Sequence, residues 1–154
     1  MARPPAASPQ KQLKTFMARY RPDVVAVACA ALTTLRELLP GTAEMVYDNY
    51  NALVIGFSTT DRPSDAILSI GLYPRWVNLY FLHAGTDLPD PDGLLRGSGS
   101  WVRSVRMTSA DDIETPAVRA LIAAAIARAD PPLARASRRR LTIRAISAKR
   151  RPRK

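Results

Sequence analysis

Leu53-Val-Ile-Gly-Phe57 and Val77-Asn-Leu-Tyr-Phe81 carry an apolar side chain at every second position, and both lie in a stretch, residues 42 to 82, where that period persists. A period of two is the signature of half-buried strands. Turn-forming residues interrupt it at Asn49-Tyr-Asn51, Arg62-Pro63-Ser64 and Pro74-Arg75, so the stretch divides into four antiparallel strands joined by short turns. Residues 101 to 107 read as a fifth strand. On either side of this region the period becomes helical. Leu13, Phe16, Met17 and Tyr20 are spaced by three or four, which predicts a short amphipathic helix. Pro22 and Asp23 suit a first helical turn, and Val25, Cys29, Leu32, Leu35 and Leu39 form one stripe that stops at Pro40-Gly41. A last helix opens with Thr115 as cap and Pro116 at the first position. It lays Val118, Leu121, Ile122, Ala125 and Ile126 on one face and ends before Asp130-Pro131-Pro132. The expected fold is α+β, a five-stranded antiparallel sheet with helices packed on one face.

The charge is distributed unevenly. Residues 134 to 154 hold ten Arg or Lys and no Asp or Glu, whereas residues 1 to 133 hold thirteen of each sign, so the net charge of +10 resides in the C-terminal segment. Three parts follow: a disordered lead at residues 1–9, a folded domain at 10–133 and a disordered Arg-rich tail at 134–154. A neutral body with a cationic arm suggests a separate polyanion-binding task for the arm. Its Arg138, Arg139, Arg140, Lys149, Arg150, Arg151, Arg153 and Lys154 come with no aromatic residue to stack on bases. Such an arm recognises phosphate charge, in nucleic acid or another polyanion, rather than sequence. Leu141, Ile143 and Ile146 are too few for a core and suit one side of a short helix on an acidic partner. The bland alternative is a solvated tail that reflects composition, since the chain has 19 Arg against 4 Lys.

One cysteine, Cys29, excludes an intramolecular disulfide and a multi-thiolate zinc site, and the natural reading is a reducing, cytoplasmic setting. Arg19 and Arg21 before the apolar run at residues 24 to 32 imitate a secretion signal, but Asp23 interrupts the approach and the helical pattern continues past Cys29. No uncharged apolar stretch reaches the roughly 20 residues a membrane-spanning helix needs, so no membrane partner is expected.

The segments Glu44-Met-Val-Tyr47, Ser69-Ile-Gly-Leu-Tyr73, Val77-Asn-Leu-Tyr-Phe81, Leu95-Arg-Gly-Ser-Gly-Ser-Trp-Val-Arg103 and Pro116-Ala-Val-Arg-Ala-Leu-Ile122 together resemble the YdhG-like family. This is a bacterial domain of unknown function whose fold is similar to frataxin. The resemblance covers about residues 35 to 129. It implies a frataxin-like sheet and, for some relatives, a role in iron handling. Two departures limit what transfers. Many members carry Tyr-Gly-Met-Pro where this chain reads Tyr47-Asp48-Asn49-Tyr50, and many have His where this chain has Ser104.

Several residues are candidates for chemistry. Arg96-Gly97-Ser98-Gly99-Ser100 with Arg103 would make a small anion pocket if its successive N–H groups formed a concave nest; the alternative is a tight turn whose arginine pairs with a carboxylate. Strand alternation separates Arg103 from Arg106, so at most one of them reaches a common pocket. Asp87, Asp90 and Asp92 in the loop before Gly93, with Asp111, Asp112 and Glu114, are weak candidates for holding iron through carboxylates. Acidic residues ahead of a helix are favoured without any metal. His83, the only histidine, has no partner at a recognisable catalytic spacing and suits a structural hydrogen bond. Cys29 is read as buried packing. Tyr73, Trp76, Tyr80 and Trp101 would either line a groove on the exposed sheet face or pack as cross-strand pairs.

These readings favour a non-enzymatic binding domain with no cofactor and a tail of weak, nonspecific polyanion affinity. A frataxin-like intracellular iron-binding chaperone is the alternative. An enzyme using the sheet groove and the segment from Gly97 to Arg103 is the third class.

Overall fold

The computed structural model describes residues 7–83 and 85–154. Helix α1 spans Pro9–Met17, and Ser8 caps it by accepting the Lys11 N–H at 3.2 Å through Oγ. The lead expected to be disordered over residues 1–9 is therefore shorter at its C-terminal side, because a Ser cap followed by Pro is preset for a first turn; residues 1–6 lie outside the described residues. Helix α2 spans Pro22–Leu38, with Asp23 in its first turn and Arg36 in its last, both favourable to the helix dipole. Helix α3 spans Pro116–Ala127 and buries Val118, Leu121, Ile122 and Ala125. Among the described residues no helix is long and apolar enough to cross a membrane.

Strands β1 (Ala43–Asp48), β2 (Leu53–Ser58), β3 (Ala66–Leu72), β4 (Val77–Phe81) and β5 (Arg103–Met107) form an antiparallel meander, each paired with the next in sequence. The fold is α+β, as the apolar periods predict. The register aligns Ile55 with Ile70, and Ile70 with Leu79. One sheet face is consequently a continuous apolar layer of Leu53, Ile55, Phe57, Leu68, Ile70, Leu72, Val77, Leu79 and Phe81, all fully or almost fully buried. Helices α2 and α3 pack on it.

The C-terminal segment departs from expectation. It is not a free arm: Arg140–Ile146 forms a sixth strand, β6, which pairs in parallel with β1 and makes the sheet mixed, in the order β5-β4-β3-β2-β1-β6. Nor is it a helix. Leu141 and Ile143 alternate with Thr142 and Arg144, and the register sets Leu141 beside Glu44 and Ile143 beside Val46, on the helix-covered face. Leu141 is buried there and Ile143 packs against the core. A parallel partner needs a long crossover, which the stretch from β5 through α3 supplies. The expected boundary at residue 133 therefore falls within that crossover, and the sheet continues beyond it.

The attachment of this segment is electrostatic as well as apolar. Val46 faces the helices, so Glu44 and Asp48, two residues to either side, face them too. Both carboxylates are almost completely buried, a costly placement unless each is paired. Glu44 accepts Arg36 Nη2 at 2.9 Å from α2 and Arg139 Nη1 at 2.9 Å from the segment before β6. Asp48 accepts Arg19 Nη1 at 3.1 Å, Arg150 Nε at 2.6 Å and Arg153 Nη2 at 3.0 Å. Arg153, 6% exposed, also donates to the Asn49 carbonyl at 2.6 Å and lies 5.5 Å from the Tyr20 ring centre. Where the segment crosses the turn between α2 and β1, Gly41 has φ +80°, and a Cβ there would meet the Ala134 and Ser137 carbonyl oxygens at 2.5 and 2.7 Å.

Two stability predictions follow from this attachment. Asp48→Asn leaves the surrounding guanidiniums uncompensated and is expected to cost about 3–5 kcal/mol in urea unfolding, whereas Arg144→Ala, on an exposed side chain of the same strand, stays within about 0.5 kcal/mol. Gly41→Ala is expected to lose about 1–3 kcal/mol from the left-handed backbone alone, and the carbonyl clash should make β6 amides exchange faster with deuterium than those of β3.

Candidate functional site

Folding of the C-terminal segment sorts its ten cations into two groups. Arg139, Arg140, Arg150 and Arg153 are engaged by carboxylates, with Arg140 Nε meeting Asp61 Oδ1 at 2.8 Å. Among the described residues, no Asp or Glu lies within ion-pair distance of Arg135, Arg138, Arg144, Lys149, Arg151 or Lys154, and all six are exposed. Arg151 lies 5.8 Å from the half-exposed Tyr50 ring, and its N–H donates to the Tyr50 carbonyl at 2.9 Å. The Ser147 N–H donates to the Asp48 carbonyl at 2.8 Å. These contacts fix the backbone on both sides of Lys149 beside the turn between β1 and β2, Arg144 stands on the edge strand, and Arg135 lies beside α2 and α3. Such an array attracts phosphate-rich polymers without the ordering cost that a disordered tail would meet on binding.

The glycine-containing loop ahead of β5 is closed on itself. Arg96 and Ser104 exchange both backbone hydrogen bonds, at 2.8 and 2.9 Å. Gly97 has φ +134°, which favours glycine, and Gly99 and Ser98 form the exposed tip. The Arg103 guanidinium turns back to donate to the Gly99 carbonyl and, at 2.9 Å, to the Val102 carbonyl. Its partners are thus loop carbonyls rather than a carboxylate. Gly85 sits behind the loop, where a Cβ would meet Arg103 N at 2.8 Å. Arg106 lies on the opposite face of β5, as alternation predicts, with its guanidinium 4.0 Å from the Trp76 ring centre.

The acidic candidates serve local structure. Asp90 accepts the Leu94 and Leu95 N–H groups at 2.8 and 2.9 Å, and Asp112 accepts those of Thr108 and Ser109 at 2.9 and 3.0 Å. Glu114 binds the Thr34 hydroxyl and Arg119 Nη1, and these partners, the Thr34 bond foremost, hold its carboxyl below the usual range. Asp87, Asp92 and Asp111 are exposed. Among the described residues, no three His, Cys, Asp or Glu side chains converge as metal ligands.

The four aromatic candidates divide between the two faces. Tyr73 and Trp76 stack at 5.6 Å, and the Tyr73 and Tyr80 hydroxyls meet at 2.6 Å, with Asn78 Nδ2 donating to Tyr80 at 3.1 Å. Both tyrosine rings lie against Gly71, where a Cβ would be 3.2 Å from each. Trp101, 51% exposed, stands instead beside His83, 6.2 Å between ring centres, at the mouth of a cleft of about 310 Å³ shared with Arg128 and Asp130. His83 Nε2 is 3.0 Å from the Ser64 carbonyl. Cys29 is exposed rather than buried. The face of α2 on the sheet is centred on Val24, Ala28, Ala31 and Leu35, whose small members allow close approach, and this turns Val25 and Cys29 toward α1.

Comparisons with protein-family models, curated proteins and solved structures find no match to this chain.

Burial and the hydrogen bond to Tyr80 push the Tyr73 phenol above the usual tyrosine range, and burial does the same to Tyr20. A raised phenol stabilises the fold fully below the unfolded value of about 10, and that contribution is lost as pH climbs through the folded value. The urea midpoint is therefore expected to fall above pH of about 10, less steeply in Tyr73→Phe. Phenolate absorbance of the native chain should show fewer than its five tyrosines ionising before unfolding.

Proposed function

We propose that this chain is a non-enzymatic binding domain of the YdhG-like, frataxin-like kind, and that its C-terminal segment holds nucleic acid or a comparable polyanion by charge. The observation that supports this most directly is the set of six exposed cations without carboxylate partners, carried on a segment whose other arginines are already committed to Glu44, Asp48 and Asp61. The segment has no aromatic side chain, so it contacts phosphates and reads no bases. Attraction is strongest at low salt, because each neutralised phosphate releases a counterion.

The test keeps the segment folded. Deleting residues 134–154 would take Arg139 from Glu44 and Arg150 and Arg153 from Asp48, so charge reversal at Arg138, Arg144 and Lys149 is the informative change. Labelled duplex DNA and RNA are expected to bind the unaltered chain with affinity falling about 10³-fold or more between roughly 50 and 200 mM salt, as six or more phosphate contacts require. The triple reversal should lower affinity for all sequences alike and reduce the salt slope by about 3. An unchanged slope, with the variant folded by circular dichroism, would rule the reading out.

A further inference from the structure

A second site lies on the helix-covered side, away from the free cations of the segment. Helices α1 and α2 do not close on each other where β6 enters the sheet, and between them runs a half-open groove of about 420 Å³. Leu13, Met17, Val25, Leu32 and Leu141 make its wall. That volume falls within the range of small-molecule sites, which are apolar with a few placed polar groups.

Beside the neutral Gln10, the charged groups around this groove are of one sign. Lys14, Arg36 and Arg139 line it, and no Asp or Glu does. The carboxylate paired with the two arginines, Glu44, is fully buried and shared by Arg36 and Arg139. One carboxylate between two guanidiniums leaves an excess positive charge, to which the exposed Lys14 adds. An apolar trough bordered by a net positive charge is complementary to a molecule with an alkyl chain and one anionic head.

We propose that this groove binds a single-chain anionic amphiphile of the fatty carboxylate class. The alkyl chain lies along Leu13, Met17 and the half-buried Val25, where it covers the apolar surface of the groove that still meets water. The carboxylate sits among Lys14, Arg36 and Arg139, and the Arg139 side chain is 40% exposed despite its pairing with Glu44. The site exists only when β6 is in place, since Arg139 and Leu141 both come from the C-terminal segment. Without Leu141 the trough has no floor on that side.

Cys29 opens onto the same groove and is the only thiol in the chain, which provides a reporter at the site. The experiment measures alkylation of the full chain by iodoacetamide with dodecanoate, kept below its micelle concentration, and with uncharged dodecanol. Dodecanoate is expected to slow Cys29 alkylation about tenfold once it reaches about ten times its dissociation constant, with dodecanol giving clearly weaker protection. Lys14→Glu, a change at an exposed residue without an ion pair among the described residues, should weaken dodecanoate protection about two- to fivefold, the size of one exposed charge pair, and leave dodecanol unaffected. Equal protection by the two compounds, no protection by either, or protection only by vesicles of anionic phospholipid would overturn the proposal. Failure here would leave the polyanion reading standing, because Arg138, Arg144 and Lys149 lie outside the groove.

Discussion

Two carboxylates on the core side of β1 constrain much of this molecule. Glu44 and Asp48 occupy positions where an aliphatic side chain would ordinarily pack, and both are almost fully buried. Unpaired charges in such a place would be intolerable. Arginines from three parts of the chain converge on them: Arg19 after α1, Arg36 at the end of α2, and Arg139, Arg150 and Arg153 from the C-terminal segment. The pairing does more than hold a tail. It couples α1, α2, β1 and β6, so that the sheet edge and the helix layer depend on the same charges. Asp48 alone meets three guanidiniums. That surplus positive charge is offset in part by the Asn49 and Tyr50 carbonyls and the Tyr20 ring around Arg153.

The same arrangement gives the net charge of +10 a structural meaning. A cationic segment without acids of its own would repel itself if collapsed alone. Laid against β1, it finds counterions in the body for four of its cations, and the other six, all exposed, have no carboxylate partner among the described residues. Charge that looked uniform along the sequence is thus divided between a carboxylate-paired, structural set and an unpaired, exposed set able to meet a partner. The groove between α1 and α2 is a by-product of this division, since β6 contributes both an apolar floor and a guanidinium at its rim.

Elsewhere the sheet shows how small residues shape a surface. On the face away from the helices, Gly71 lets the rings of Tyr73 and Tyr80 lie against the backbone, and Trp76 stacks beside them under Arg106. Their presence on strands was legible from alternation, and so was the separation of Arg103 from Arg106. Trp101 was not separable from that group by sequence, because whether it belonged to β5 or to the loop before it depended on where pairing begins, at Arg103. Cys29 was misread for a related reason. An apolar stripe identifies a helical face but not its centre, and the alanines of α2, with little side chain, are what approach the sheet most closely.

Local periodicity was sufficient for the elements that carry it strongly. The alternation through Leu53–Ser58 and Val77–Phe81, the Pro-led starts of α2 and α3, and the turns at Pro63 and Pro74 defined three helices and the five-stranded meander, because side-chain spacing and backbone restriction act over a few residues. The sixth strand was present as Leu141-Thr-Ile143, a short alternation of β-branched and apolar residues, but the surrounding arginines outweighed it in any local reading. Its strand state depends on partners about a hundred residues away, Glu44 and Asp48 for charge and the open edge of β1 for hydrogen bonds. In β1, Glu44 and Asp48 flank the fully buried Val46 on the core face, where the bound arginines compensate their burial. Sequence thus determined which segments are helix or strand up to β5. The tertiary structure decided where the charged residues lie, because the cost of burying a carboxylate is set by what the rest of the chain brings to it.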